Sequence, residues 1–400
     1  MLIRGKGWIG PSFLERAMPF ELFRIGKRLF GILIPAFVSS FLFVNCLSRN
    51  LSALDASNPS GFFLSGLLFA HGPLFLAVGV NCSFWTSEDG MTWEAHAQAN
   101  MPNCGTTSSL NAAAYGNNTY VIVGSLGGAA SGCGIWTSNN GIDWKQQACP
   151  SGNTTPLMSV EFSSGNNSFV AGGTAPAAGQ CPLLVSSGDY TSWSQSFYVG
   201  SCAVSDSIRS IVDLKNNNLL ASKIGGSVEY PSSSDGGLTW PVAAGNPAGL
   251  AAGSATHLEA AGSGRTIVYG FNGGNGALSY GVNPISGGWA GAAVVSSMAS
   301  SINAGSAIPS LGKFLGVSTN CGLVGSFDDG TSFQPFTSMG TGCSGIAWTA
   351  IAGVRATGFY VVGGVATNTA FGWSLDGSPS TWTVLTVTGS NAVNDIVVRQ

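Results

Sequence analysis

The chain has 400 residues, of which 58 are glycine and only 8% are charged, against about 25% charged residues in ordinary soluble domains. So few Glu, Lys and Arg exclude a mainly helical protein, and the glycine content points to β-structure. Beyond residue 45 there are nine basic and sixteen acidic side chains, and with no basic cluster the chain lacks the electrostatic footprint of a nucleic-acid binder.

In chain order the first feature is an address. Six of the fifteen basic residues, Arg4, Lys6, Arg16, Arg24, Lys27 and Arg28, precede an apolar run from Leu29 to Val44 that Pro35 interrupts. Such a run is short for a membrane span and normal for an export signal. It ends in Leu42-Phe43-Val44-Asn45-Cys46, which resembles the lipobox of bacterial lipoproteins, with Asn45 where that pattern has a small residue. The resemblance implies lipidation at Cys46, an outer-membrane lipoprotein of the cell envelope, and a signal over 1–45 that starts at Met1 or Met18. Residues 46–60 then read as a tether.

From residue 61 to 400 the sequence repeats itself. A closing aromatic recurs at Trp93, Trp144, Trp193, Trp240, Trp289, Phe333 and Trp382, at intervals of 51, 49, 47, 49, 44 and 49 residues. Each is preceded by paired β-like runs around an Asn/Gly turn, as in "NAAAYGNNTYVIVGS". One repeat therefore reads as four antiparallel strands, A to D, and seven repeats predict an all-β protein, a seven-bladed β-propeller of four-stranded antiparallel blades. For the first blade, "NDIVVRQ" at the C-terminus and "FFLSGLLFA" near residue 65 compete as the innermost strand. Ring closure, which hides sheet edges, favours the former.

The segments before the closing aromatics, "TSEDGMTW" and "SSSDGGLTW" among them, resemble the Asp-box, or BNR, repeat. That repeat is found in sialidases, in photosystem II assembly-factor-like propellers and in many bacterial envelope proteins. The motif reads as scaffold. Asp89 can accept backbone N–H groups of its own turn, Ser87 can add a local bond, Gly90 can take positive φ, and Trp93 can cover the neighbouring blade. Asp235, Gly237 and Trp240, Asp328 and Gly330, and Asp376 and Gly377 hold the corresponding positions.

Nine cysteines leave an even set once Cys46 is set aside. Cys82 and Cys104, Cys133 and Cys149, Cys181 and Cys202, and Cys321 and Cys343 each bracket a C–D hairpin, which predicts four bridges in an oxidising compartment. Metal binding is the rival, but there is no C-x-x-C and only three histidines, His71, His96 and His257, are present.

Functional residues are harder to read. The Gly-, Ala- and Asn-rich loops 125–134, 173–182, 223–230, 271–277 and 365–371 share one predicted face and argue against a chemically armed pocket. Sialidase chemistry would need three converging arginines, and past the signal only Arg49, Arg209, Arg265, Arg355 and Arg399 are available. Glu161 and Glu259 align in the first strands of two repeats and could both face the channel, as an acid–base pair or as solvated lining. Phe197, Tyr198 and Trp348 suit either stacking on a sugar or core packing. The sequence reads best as a monomeric, non-catalytic binding or assembly module, without cofactor or metal, for a protein or glycan ligand. A degenerate glycoside hydrolase and an assembly factor for a membrane complex are the alternatives.

Overall fold

The computed structural model describes the chain from Gly72 onward, apart from residues 128–131, 180, 199, 201, 226–228, 245–249, 251–256, 261–263, 273–274, 283, 287, 290–292, 296–299, 337–338, 388 and 400. The segments read as signal (1–45) and tether (46–60), with Cys46, and the "FFLSGLLFA" candidate lie outside the described residues. What is described belongs to one compact unit, Phe69–Gln400.

Its strands form seven four-stranded antiparallel sheets, the blades of a seven-bladed propeller. Blade I takes its innermost strand from the C-terminus: β28 (Val393–Val398) pairs with β1 (Phe75–Gly79), followed by β2 (Phe84–Ser87) and β3 (Glu94–His96). The C-terminal segment therefore closes the ring, as the burial of sheet edges favours. The first strands of the other blades are β4 (Ser109–Gly116), β8 (Leu157–Ser163), β12 (Ser207–Asp213), β16 (His257–Ala260), β20 (Ala304–Ile308) and β24 (Ala347–Gly353).

The Ser-x-Asp turns are built as their chemistry suggests. In blade I the Asp89 carboxylate accepts the N–H groups of Met91 and Thr92 at 2.8 and 2.7 Å, and Ser87 Oγ accepts that of Gly90 at 2.8 Å. Gly90 has φ +72°, and a Cβ there would lie 2.6 Å from the Phe359 ring, so glycine is required on both counts. Asp235, Asp328 and Asp376 cap their own turns in the same way. In blade II Asn140 does so with a neutral amide.

Each closing aromatic leans on the preceding blade. Trp93 stacks on Phe371 of blade VII at 4.0 Å, Trp144 meets the edge of Phe84 of blade I at 6.0 Å, and Trp289 lies 5.2 Å from Tyr230 of blade IV. Interlocked apolar clusters between blades thus take the place of a single central core. All four expected disulfides form, Cys82–Cys104, Cys133–Cys149, Cys181–Cys202 and Cys321–Cys343. They staple the open ends of the C–D hairpins in blades I, II, III and VI.

A radial sheet leaves one problem at its inner edge, where the first strand has no partner for its outward backbone groups. Side chains of the preceding blade supply the partners all the way round. Asn394 Nδ2 donates to Leu110 O at 2.8 Å, Asn111 Nδ2 to Leu157 O at 2.7 Å and Ser159 Oγ to Ile208 O at 3.2 Å. Leu258 N–H donates to Ser210 Oγ at 3.0 Å and Ala307 N–H to Glu259 Oε1 at 2.9 Å. Asn303 Nδ2 donates to Trp348 O at 2.8 Å, and Thr349 Oγ1 to Val393 O closes the circle.

Candidate functional site

The seven first strands surround a central channel with a volume of about 1360 Å³. In five of them the pairing with the second strand slips by one residue at the same place. The residues passed over are Asn111, Met158, Arg209, Thr349 and Asn394. A bulge bends its strand and re-aims the extra side chain, and all five residues line the channel. They lie near the starts of the first strands, so they mark the mouth on the face of the D-to-A crossovers. The apolar-run reading of these strands missed them. The available signal was a polar or flexible residue just after the crossover, inside an otherwise small and β-branched run.

Deeper in, the channel is acidic. Glu161 and Glu259 both line it, together with Asp395. Glu259 lies 3.5 Å from His257, two residues earlier on the same strand, and accepts the Ala307 N–H. Asp395 accepts the N–H groups of Ala113 at 2.9 Å and Ile396 at 2.8 Å. Burial nonetheless raises its carboxyl above the usual range. Glu161 is pushed up to about 8, first by burial among the strands and then by the fields of Glu259 and Asp213, with Lys215 and Arg355 acting in the opposite sense. At neutral pH Glu161 therefore carries a proton. Burial also works to raise Asp213, but hydrogen bonds from Ser164 and Lys215 outweigh it and hold that carboxyl low.

The arginines do not converge. Arg209 stands at the crossover mouth, whereas Arg265 and Arg355 stand at the opposite mouth, beside the turns between first and second strands. Arg399 follows β28 at that same end, and Arg49 lies outside the described residues. Trp348 and Tyr198 are buried in inter-blade packing at 0% and 3% exposure, which removes them from any sugar-stacking surface. The side chain of Phe197 and parts of four of the five bland loops lie outside the described residues, while 365–371, around the turn between β25 (Tyr360–Val365) and β26 (Thr369–Ser374), is described throughout. Among the described residues no group of three or more His, Cys, Asp or Glu is placed to hold a metal ion.

No protein-family model matches the chain. No curated protein matches it either. Solved structures do. YCF48 bound to D1 peptide superposes with a TM-score of 0.52 at 14% identity, covering 72% of this chain and 84% of that one. YCF48 from Cyanidioschyzon merolae gives a TM-score of 0.50 at 13% identity, covering 72% and 88%. A quinonprotein alcohol dehydrogenase-like protein from Bacteroides thetaiotaomicron gives 0.54 at 10% identity, covering 82% and 78%. At these identities the likeness is one of fold, and the chain is similar to these proteins as a β-propeller.

Proposed function

We propose that the chain is a non-catalytic binding or assembly module of the bacterial cell envelope, tethered through a lipidated Cys46, whose crossover mouth receives a segment of a partner protein. The observation that carries this reading is the bulge shared by five first strands. The strands repeat in architecture, but the bulged side chains do not: two amides, a thioether, a guanidinium and a hydroxyl stand around one opening. Asn111, Thr349 and Asn394 also tie neighbouring blades, which fixes the rim, while Met158 and Arg209 supply an apolar and a cationic contact at the opening, a mixture suited to recognising a peptide. Two further observations support the reading. The YCF48 propeller of similar fold was solved with a peptide bound, and the Asp-box likeness points to propellers of envelope and assembly proteins.

The test is to capture partners from detergent-solubilised envelope with the intact chain, wild type against Met158→Ala and Arg209→Ala. Arg209 bonds within its own strand, to Ser207 Oγ, and Met158 adds to the inter-blade ties only a weak thioether acceptor, 3.5 Å from Asn111 Nδ2. A partner retained by the wild type and lost from both variants, at unchanged melting temperature, supports the reading; equal retention by all three overturns it.

A second reading has one observation in its favour. Glu161, raised to about 8, lines the same channel as a second carboxyl, Glu259, and a carboxyl kept protonated at neutral pH can serve as a general acid. Hydrolysis of a glycan that disappears in Glu161→Gln would establish it in place of the first.

A further inference from the structure

The two faces of the disc differ in a way the binding reading does not use. Among the described residues the large apolar side chains most open to solvent are Ile142, Val204, Leu238, Val282, Leu311, Phe327 and Leu375. Only Val204 lies in a crossover, between β11 (Trp193–Tyr198) and β12. The rest lie at the opposite end of the blades: Ile142, Leu238, Phe327 and Leu375 in turns between third and fourth strands, Val282 as the last residue of a third strand, and Leu311 in the turn after β20. Leu238 is 56% exposed, Val282 53% and Leu375 52%, and Phe327 keeps 43% of its surface open. Singly exposed apolar residues are ordinary, but six of seven gathered on one face is the distribution that an apolar or interfacial neighbour would favour.

Cations stand among them. Lys313 lies over the Phe327 ring at 5.7 Å and donates to Asp376 O, while Arg265 lies over Tyr280 at 5.5 Å and donates to Thr331. Arg355 is exposed in the turn after β24. In blades V to VII the three cations match Asp328, Asp329 and Asp376 in number, and Asp235 in the turn of Leu238 adds one negative charge, so the surface around the apolar residues is only slightly acidic. That balance suits the zwitterionic headgroup region of a bilayer, into which shallow apolar side chains insert while long cationic ones reach for phosphate.

The described chain also begins on this face. Tyr120 hydroxyl donates to Pro73 O, and Gly72 and Pro73 lie against Asn140 and Gly141 in the blade II turn. Gly72, the first described residue, thus stands on the face that carries the apolar turns.

We infer that this face rests on the lipid surface, with Leu238, Val282, Leu311, Phe327 and Leu375 dipping into the headgroup layer, so that the crossover mouth opens away from the membrane. The inference rests on the membrane-tethered reading above. Chain length does not decide it, because the 26 residues from Cys46 to Gly72 reach roughly 90 Å when extended and permit either face; the apolar turns decide it.

The experiment uses the full chain, matured in a lipoprotein-processing host and reconstituted into phosphatidylcholine–phosphatidylethanolamine vesicles. Benzoylphenylalanine is placed in turn at Phe327, Leu375 and Val204, and the vesicles are floated, irradiated and analysed for lipid adducts. The inference expects co-flotation of all three, with several-fold more lipid adduct from positions 327 and 375 than from 204. Co-flotation with equal lipid adducts at the three positions, or with protein adducts only at 327 and 375, overturns the orientation and leaves the tether intact. Failure of the full chain to float overturns the tether and the orientation together.

Discussion

The Asp395 carboxylate accepts the Ala113 N–H at 2.9 Å, so the last strand of the chain holds the free inner edge of the second blade. It does so although burial works against its charge. Replacing Asp395 with Ala removes the acceptor and leaves a backbone donor without its partner, at a cost of about 1–2 kcal/mol. Asp395→Asn keeps an acceptor oxygen and removes the buried charge, so its stability at pH 7 should equal or exceed that of the wild type. Urea denaturation of the three proteins checks the order. An alanine variant as stable as the wild type would show that the tie contributes nothing.

Glu161 makes stability depend on pH in a defined direction. Its folded-state value of about 8 lies above the ordinary carboxyl value, so between about pH 4.5 and 8 the folded chain binds a proton that the unfolded chain has released. The contribution is favourable below that window and is lost as the pH rises through it. The melting temperature of the wild type should fall across the window relative to Glu161→Gln, whose profile should be flatter, the difference amounting to a few kcal/mol at most. Parallel profiles would contradict the assignment.

Lys223 is fully buried between Asp206 at 3.1 Å and Glu229 at 3.4 Å, and Glu229 also accepts the Tyr198 hydroxyl at 2.7 Å. This network joins the crossover into blade IV to that blade's second strand, β13 (Leu219–Ile224), and to the last strand of blade III. Lys223→Ala leaves two carboxylates without their shared cation and should cost about 3–5 kcal/mol. Lys223→Ala with Asp206→Asn and Glu229→Gln should recover part of the loss, read as an interaction energy among the three sites.

The four disulfides close hairpins 16 to 22 residues apart in sequence. In the chain-entropy model each is worth about 3 kcal/mol. Cys82→Ser with Cys104→Ser should therefore lower stability by about that amount while leaving blades V and VII, which have no bridge, with unchanged local hydrogen-exchange protection.

Much of the fold was legible because its signals are local and repeated. The closing aromatics, the Ser-x-Asp turns and the cysteine brackets each recur at fixed places in the blade, and each is found there. The C-terminal strand could be assigned to blade I because an open ring would expose sheet edges. The mouth was not legible. Asn111, Met158, Arg209, Thr349 and Asn394 owe their position to a one-residue register slip, and a slip is a property of pairing that neither strand's periodicity contains. Glu161 and Glu259 could be aligned in sequence, yet their different environments come from neighbours in other blades: Glu259 has Ala307 N–H, while Glu161 has the fields of Glu259 and Asp213 around it.

The central claim is that the crossover mouth is where a partner enters. Site-specific photo-cross-linking from Met158, with Lys145 on the opposite face as reference, tests it most directly in intact envelope. The account predicts a discrete protein adduct from position 158 that Arg209→Ala abolishes, and none of the same mass from position 145. The same adduct from both positions, or one from 145 alone, would contradict it.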